Sequence, residues 1–275
     1  MVRLIALDID GTLLDSRWQV PEANRDAVRR ATAAGIEVAL VTGRRFDFAR
    51  AVIEQIDAPL TMIVSGGALV KTRNGDTLLR HLLPVDVARA VVEGTKDFRD
   101  ATAVVFDRPL AAQVVHERLD IRDSHRRSYF ERNRDYITEV VPLEASLTED
   151  PIQVMYSGGV QRMRELVACV RALAAAPQVA VAVTEYQVRD FSLVDVNRAG
   201  CTKGTTLAEW VARQGIAREE VLAIGDNFND REMLEFAGVA VVMGNAVPEL
   251  KTLGWPVTLD NDAAGVAAAI DRYAL

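Results

Sequence analysis

Short apolar blocks closed by polar, glycine-bearing turns alternate with stretches of helical period through the first third of the chain. The block Leu4–Ile9 reads as a buried strand that ends at Gly11-Thr12. Pro21 opens a helical stretch through Ala33, and Gly35 sits where a C-terminal cap belongs. Val38–Val41 is a second strand, closed by Thr42-Gly43-Arg44. Phe46–Ile56 carries Phe48, Val52, Ile53 and Ile56 at helical spacing, and Met62–Val64 is a third strand halted by Ser65-Gly66-Gly67. Strand, helix, strand, helix, strand predicts right-handed βαβ units on a parallel sheet.

The same rhythm returns at the far end, with helices over Thr205–Gln214, Asp230–Ala237 and Ala263–Tyr273 and strands over Val221–Ile224 and Val239–Met243. The middle differs. Asn74-Gly75 marks a hairpin turn, Val85–Phe98 and Met163–Ala174 read as helices, and Thr102–Phe106, Ile152–Tyr156, Val179–Val183 and Ser192–Val196 as strands. The predicted fold class is α/β: a Rossmann-like parallel-sheet core with helices on both faces in residues 1–83 and 190–275, and an α+β module inserted over 84–189.

Composition fits this picture and narrows the chemistry. The chain has 275 residues, 49% apolar and 26% charged, enough for a sizeable core without staples. A net charge of −7 disfavours nucleic acid and anionic membranes as partners. The block Leu4–Leu7 is too short for a signal or a membrane span, so a cytoplasmic protein is expected. Cys169 and Cys201 form no CxxC pair, and His81, His116 and His125 match no ligand pattern. Chemistry must then run on carboxylates, hydroxyls, Lys and Arg.

Three polar motifs follow strands, where ligands bind in open parallel sheets, and a fourth opens a helix. Asp8 and Asp10 flank Ile9 on the first strand, so their carboxylates share a face and repel unless a cation lies between them. Oxygen-rich, histidine-free surroundings favour Mg2+ for that cation; the plainer alternative is a solvated turn bent by Gly11. Asp226 closes the Val221–Ile224 strand, and Asn229-Asp230 opens the next helix, which suits either a shared cation or simple N-capping. Thr42-Gly43 offers a hydroxyl and an amide for phosphate, or a capping threonine. Lys203 precedes another helix and taken alone is a solvated lysine. The stretch Arg118–Arg134 is locally basic: either a solvated helix face, with Arg122 and Arg126 one turn apart, or a contact for an anionic substrate tail. Cys201 suggests a loop thiol near Lys203, Cys169 and Trp210 core positions.

Taken together the motifs resemble the haloacid dehalogenase superfamily of phosphatases, in its Cof-type (subclass IIB) branch. Asp8-Ile9-Asp10-Gly11-Thr12-Leu13-Leu14 looks like its opening motif, Val41-Thr42-Gly43-Arg44 its second, Lys203-Gly204 its third, and Gly225-Asp226 with Asn229-Asp230 its fourth. Met243–Ala246 and Asp262–Val266 resemble the branch's closing segment, and the insert falls where the branch carries a cap. Gly66 stands where the family often has asparagine, which puts one polar substrate contact in doubt.

The resemblance implies a Mg2+-dependent phosphomonoester hydrolase acting on a small soluble phosphometabolite, such as a sugar phosphate or a phosphorylated cofactor. In it Asp8 is the nucleophile and Asp10 the acid and base. Asp8, the backbone carbonyl of Asp10 and Asp226 hold Mg2+, with Asp230 in support. Thr42, Gly43, Asn229 and Lys203 bind phosphate. Counting four carboxylates against Mg2+ and Lys203 leaves the site net negative, so Asp10 is expected to be protonated when substrate binds. A phosphomutase, or a ligand-sensing protein without activity, are the alternatives on the same scaffold.

Overall fold

The computed structural model describes residues 1–118 and 124–275. It divides into two compact units, Met1–Arg80 with Thr202–Leu275, and His81–Cys201.

The first unit is built on a seven-stranded sheet in the order Val239–Val242, Val221–Gly225, Leu4–Leu7, Glu37–Val41, Thr61–Val64, Leu69–Thr72, Thr77–Arg80. The first five are parallel, and the last two form an antiparallel hairpin around Gly75. Leu4–Leu7 is wholly buried, as an uninterrupted apolar run in a central parallel strand must be. The chain winds outward from this strand on one side and, after the second unit, returns to pair on its other side. The strand order therefore reverses at the carboxyl end of Leu4–Leu7, the place where parallel sheets open a crevice. Helix Glu22–Ala33 packs with Gly265–Tyr273, and Lys203–Arg213 with Arg231–Phe236. The N-terminal helix stops as expected, with Gly35 in the left-handed region at φ 82° and donating to Thr32 O.

The second unit holds a six-stranded sheet in the order Val179–Tyr186, Phe191–Arg198, Gln153–Gly158, Thr102–Val105, Val114–His116, Ile137–Glu139. Val104, Val115, Val154, Tyr156, Val194 and Val196 pack with Val87 and Val91 of helix Val85–Gly94 and with Leu166 and Val170 of helix Val160–Ala172 into one core. The expected boundary at 190 needs correction. Phe191–Arg198 pairs antiparallel with Val179–Tyr186 along its whole length and with Gln153–Gly158 on its other side, so it belongs to the second unit. The strands Val114–His116 and Ile137–Glu139 were not read from sequence; each has three residues, too few to display a period. Of the basic stretch, Arg122 and the side chain of Arg126 lie outside the described residues. Arg118, Arg127, Arg132 and Arg134 are exposed, in keeping with a solvated face.

Candidate active site

The sheet register sets Leu7 level with Leu40 on one neighbour and Ile224 on the other. Asp8, Thr42 and Asp226 thus fall just beyond the ends of three adjacent strands, along one edge. The expectation that strand ends gather the motifs holds for these residues.

Asp8 continues the ladder by donating its amide to Ile224 O (3.1 Å), which fixes its backbone, and its side chain is buried. Lys203 lies 2.6 Å from Asp8 Oδ1 and 2.6 Å from Asp230 Oδ1, with all three side chains out of solvent. The lysine opens helix Lys203–Arg213, whose first turn is closed by a reciprocal capping pair, Thr202 and Thr205. Gly204 lets that turn approach the neighbouring helix: a Cβ there would stand 2.5 Å from the Glu232 backbone carbon. Asp230 accepts two further bonds on its other oxygen, from the amides of Asp226 (2.9 Å) and Asn227 (3.1 Å). It orients Lys203 and the Asp226 backbone together.

Asp226 accepts from the Thr12 hydroxyl at 3.1 Å. Its second oxygen lies against Gly11, where a Cβ would sit 2.4 Å from Oδ2, and Gly11 has φ +83°. Only glycine meets both demands. The wide turn Ile9–Leu13 that carries these groups is tied from the far end of the chain. Asn245 donates to Gly11 O (2.7 Å), Asn261 to Leu14 O (2.8 Å), and the Ser16 amide to Asp262 (2.7 Å). This gives the closing segment Met243–Ala246 and Asp262 a structural role that the sequence alone did not reveal.

Asp10 departs from expectation. The strand ends at Leu7 and the chain turns at Ile9, so the carboxylates of Asp8 and Asp10 do not share a partner. Asp10 is held by Arg44 through two parallel bonds, Nε to Oδ2 at 2.8 Å and Nη2 to Oδ1 at 2.6 Å. Arg44, last residue of the second motif, is the cation that the charge count omitted. Its signal was the arginine following Thr42-Gly43.

Thr42 is buried and its hydroxyl accepts the Arg44 amide at 3.1 Å, while the next helix, Phe46–Ile53, begins only after Arg45. Capping of that helix is therefore not its function. Asn229 is half-buried in the short turn Phe228–Asp230 directly after Asp226. Of the remaining candidates, Cys201 lies in a loop as expected and is buried, while Cys169, read as a core position, is only half-buried. Trp210 packs as expected and donates its indole N–H to Glu37 at 2.7 Å.

Electrostatics show what the cluster lacks. Burial, reinforced by Asp230 and opposed by Lys203, pushes the Asp8 carboxyl up to about 7. Burial and then the charges of Asp8 and Asp230 push Asp226 well above the carboxylate range. Burial would lower the Lys203 ammonium, but Asp230 and Asp8 outweigh it and hold it above its ordinary value. One ammonium faces three buried carboxylates whose oxygens lie within 4.8 Å of one another, Asp8, Asp226 and Asp230. A hard divalent cation fits this all-oxygen donor set. Asp230 already accepts three hydrogen bonds, against one each for Asp8 and Asp226, so the latter two are the freer carboxylates to serve it. The Asp10 side chain is not in the cluster, which leaves only its backbone carbonyl for the expected metal contact.

Residues 5–270 match the family model of haloacid dehalogenase-like hydrolases. The 5-amino-6-(5-phospho-D-ribitylamino)uracil phosphatase YitU of Bacillus subtilis is 27% identical over 272 residues, covering 98% of this chain and 97% of its own. The pyridoxal phosphate phosphatase YbhA of Escherichia coli is 27% identical over 281 residues, with 98% and 97% covered. Among solved structures, a haloacid dehalogenase-like hydrolase from B. subtilis superposes with a TM-score of 0.82 over 100% of both chains at 22% identity, a likeness of fold.

Proposed function

The chain belongs to the haloacid dehalogenase-like hydrolases, and on that premise we propose that it is a Mg2+-dependent phosphatase acting through an aspartyl-phosphate on a small phosphorylated metabolite. The observation that carries this reading is the buried pair of Lys203 and Asp8 beside Asp226 and Asp230.

Asp8 attacks phosphorus in line. As the Asp8–phosphorus bond forms and the ester bond breaks, Asp10 gives a proton to the departing oxygen, which leaves as an alcohol. Asp10, now a carboxylate, takes a proton from the water whose oxygen displaces Asp8 and releases inorganic phosphate. Lys203 steers the Asp8 oxygen and, with Thr42, the Gly43 amide and Asn229, offers donors to the phosphoryl oxygens. Asp8, the backbone carbonyl of Asp10 and Asp226 would hold Mg2+, which supplies the positive charge that the buried carboxylates and the phosphate dianion both call for.

The two relatives named above act, by their names, on phosphorylated nitrogen heterocycles, and a substrate of that class is the finer part of the proposal. One feature of the second unit supports it. Gln153, Asp195 and Asn197 alternate with the core residues Val154 and Val196 and so lie on the sheet face turned from them. Gln153 donates to Asp195 at 2.7 Å, while Gln153 Oε1, Asn197 Oδ1 and His116 Nδ1 are buried without a hydrogen-bond partner. Buried polar atoms of this kind are ordinarily satisfied, and the N–H groups of a heterocycle would do so. No helix among the described residues is long and apolar enough to cross a membrane.

Phosphate release from a panel of phosphorylated metabolites, with Mg2+ and with EDTA and with Asp8→Asn as blank, tests the assignment. Metal-dependent release absent from the variant supports it. Interconversion of sugar-phosphate isomers without release favours a phosphomutase instead.

A further inference from the structure

The steps above use the hydroxyl and amide of Thr42-Gly43 but leave the long side chain of Arg44 without a task. That side chain is only 9% exposed, and both of its bonds go to Asp10. A guanidinium fork on a carboxyl fixes direction and plane together, which a single ammonium contact cannot do. The guanidinium is itself restrained, its carbon lying 4.7 Å from the Phe48 ring centroid and 5.4 Å from that of Trp18.

Trp18 reaches this place against its backbone preference, at φ +62°, a region that bulky residues rarely occupy. Asp15, buried beneath the loop, enforces it. Asp15 Oδ1 accepts the amides of Arg17 and Gln19 at 2.9 Å each, and Asp15 O accepts the Trp18 amide at 3.0 Å. Such a conformation persists only where its surroundings over-determine it. A bent loop, an indole and a phenyl ring thus converge on one ion pair.

We propose that Arg44 is the positioning residue of Asp10, aiming the carboxyl that hands a proton to the leaving oxygen in the first step and receives one from water in the second. The inference rests on the acid–base reading of Asp10 given above. The fork occupies the lone pairs facing Arg44 and leaves each Asp10 oxygen an outer lone pair on which the travelling proton can sit. No further reactant is involved.

The consequence is selective. Esters whose leaving oxygen needs a proton depend on how Asp10 is aimed; esters with a stable phenolate leaving group do not. A cation that merely bound phosphate, or merely held the fold, would matter equally to both. The test compares kcat/KM, which reports the steps up to departure of the leaving group, for an alkyl phosphate and for 2,4-dinitrophenyl phosphate in the Mg2+-loaded wild type, Arg44→Ala and Arg44→Lys.

In Arg44→Ala the alkyl ester is expected to lose about 10²-fold, the low end of what a positioned general acid supplies, with the dinitrophenyl ester essentially unchanged. Added guanidinium chloride is expected to restore part of the alkyl-ester rate. Arg44→Lys, which keeps the charge and loses the fork, is expected to fall between, and it carries the same comparison if Arg44→Ala fails to fold. Equal losses on both esters, or no loss on either, would overturn the inference. A wild type inert toward every ester would instead overturn the phosphatase reading itself.

Discussion

Lys203 donates to Asp8 at 2.6 Å across a gap of 195 residues, and neither side chain reaches solvent. The return of the chain to the first strand is what makes this pair, so two segments far apart in the sequence build one site within the first unit.

Removing one partner of a buried ion pair exposes the other to an apolar interior. Lys203→Met keeps much of the volume and leaves Asp8 and Asp230 without their shared cation. A loss of about 3–5 kcal/mol at pH 8 without metal is expected from urea unfolding. A change below about 1 kcal/mol, the range of exposed pairs, would mean that the lysine is not buried in solution.

Stability of the metal-free protein should fall as pH rises from 5 to 8. Asp8 sits near 7 and Asp226 is also raised, so between the ordinary carboxylate range and those values the folded state binds more protons than the unfolded one. Deprotonating them on the way to pH 8 removes that advantage. Lys203 is raised above its ordinary value, and its contribution is lost only at higher pH. Melting curves in EDTA and in Mg2+ check this: the gain from Mg2+ should be larger at pH 8 than at pH 5. A gain independent of pH would contradict it.

Gly11→Ala places a methyl group on the Asp226 oxygen and forces an L residue to φ +83°. Backbone strain of about 1–2 kcal/mol is expected in the melt. The Mg2+ concentration for half-maximal activity should rise as well, because Asp226 must shift. Strain without a change in metal dependence would separate Gly11 from the metal site.

Gln153→Leu removes an acceptor from the second unit while leaving the first untouched. KM for phosphorylated heterocycles should rise, with kcat on a small alkyl phosphate unchanged. An equal effect on both would tie Gln153 to folding, not to recognition.

Asp8 and Asp226 were legible because each directly follows an apolar strand, and strand ends of a parallel sheet converge; Lys203 opens a helix and was legible only beside the other motifs. The partner of Asp10 was not. A spacing of two places Asp8 and Asp10 on one strand face, but the wide turn at Ile9 separates them, and only the fold brings Arg44 across from the next strand. The boundary at 190 erred because Phe191–Arg198 carries the same apolar alternation as a core strand, and pairing decides its sheet. Burial of Cys201 over Cys169 likewise depends on tertiary packing that a local pattern does not contain.

The proposed reaction requires Asp8 to carry the phosphoryl group. Borohydride added during turnover reduces an aspartyl-phosphate to homoserine, which peptide mass spectrometry locates. Homoserine at position 8, formed only with substrate and Mg2+ and absent in Asp8→Asn, is the expected result. Steady release of phosphate with no reduction at position 8 would contradict it.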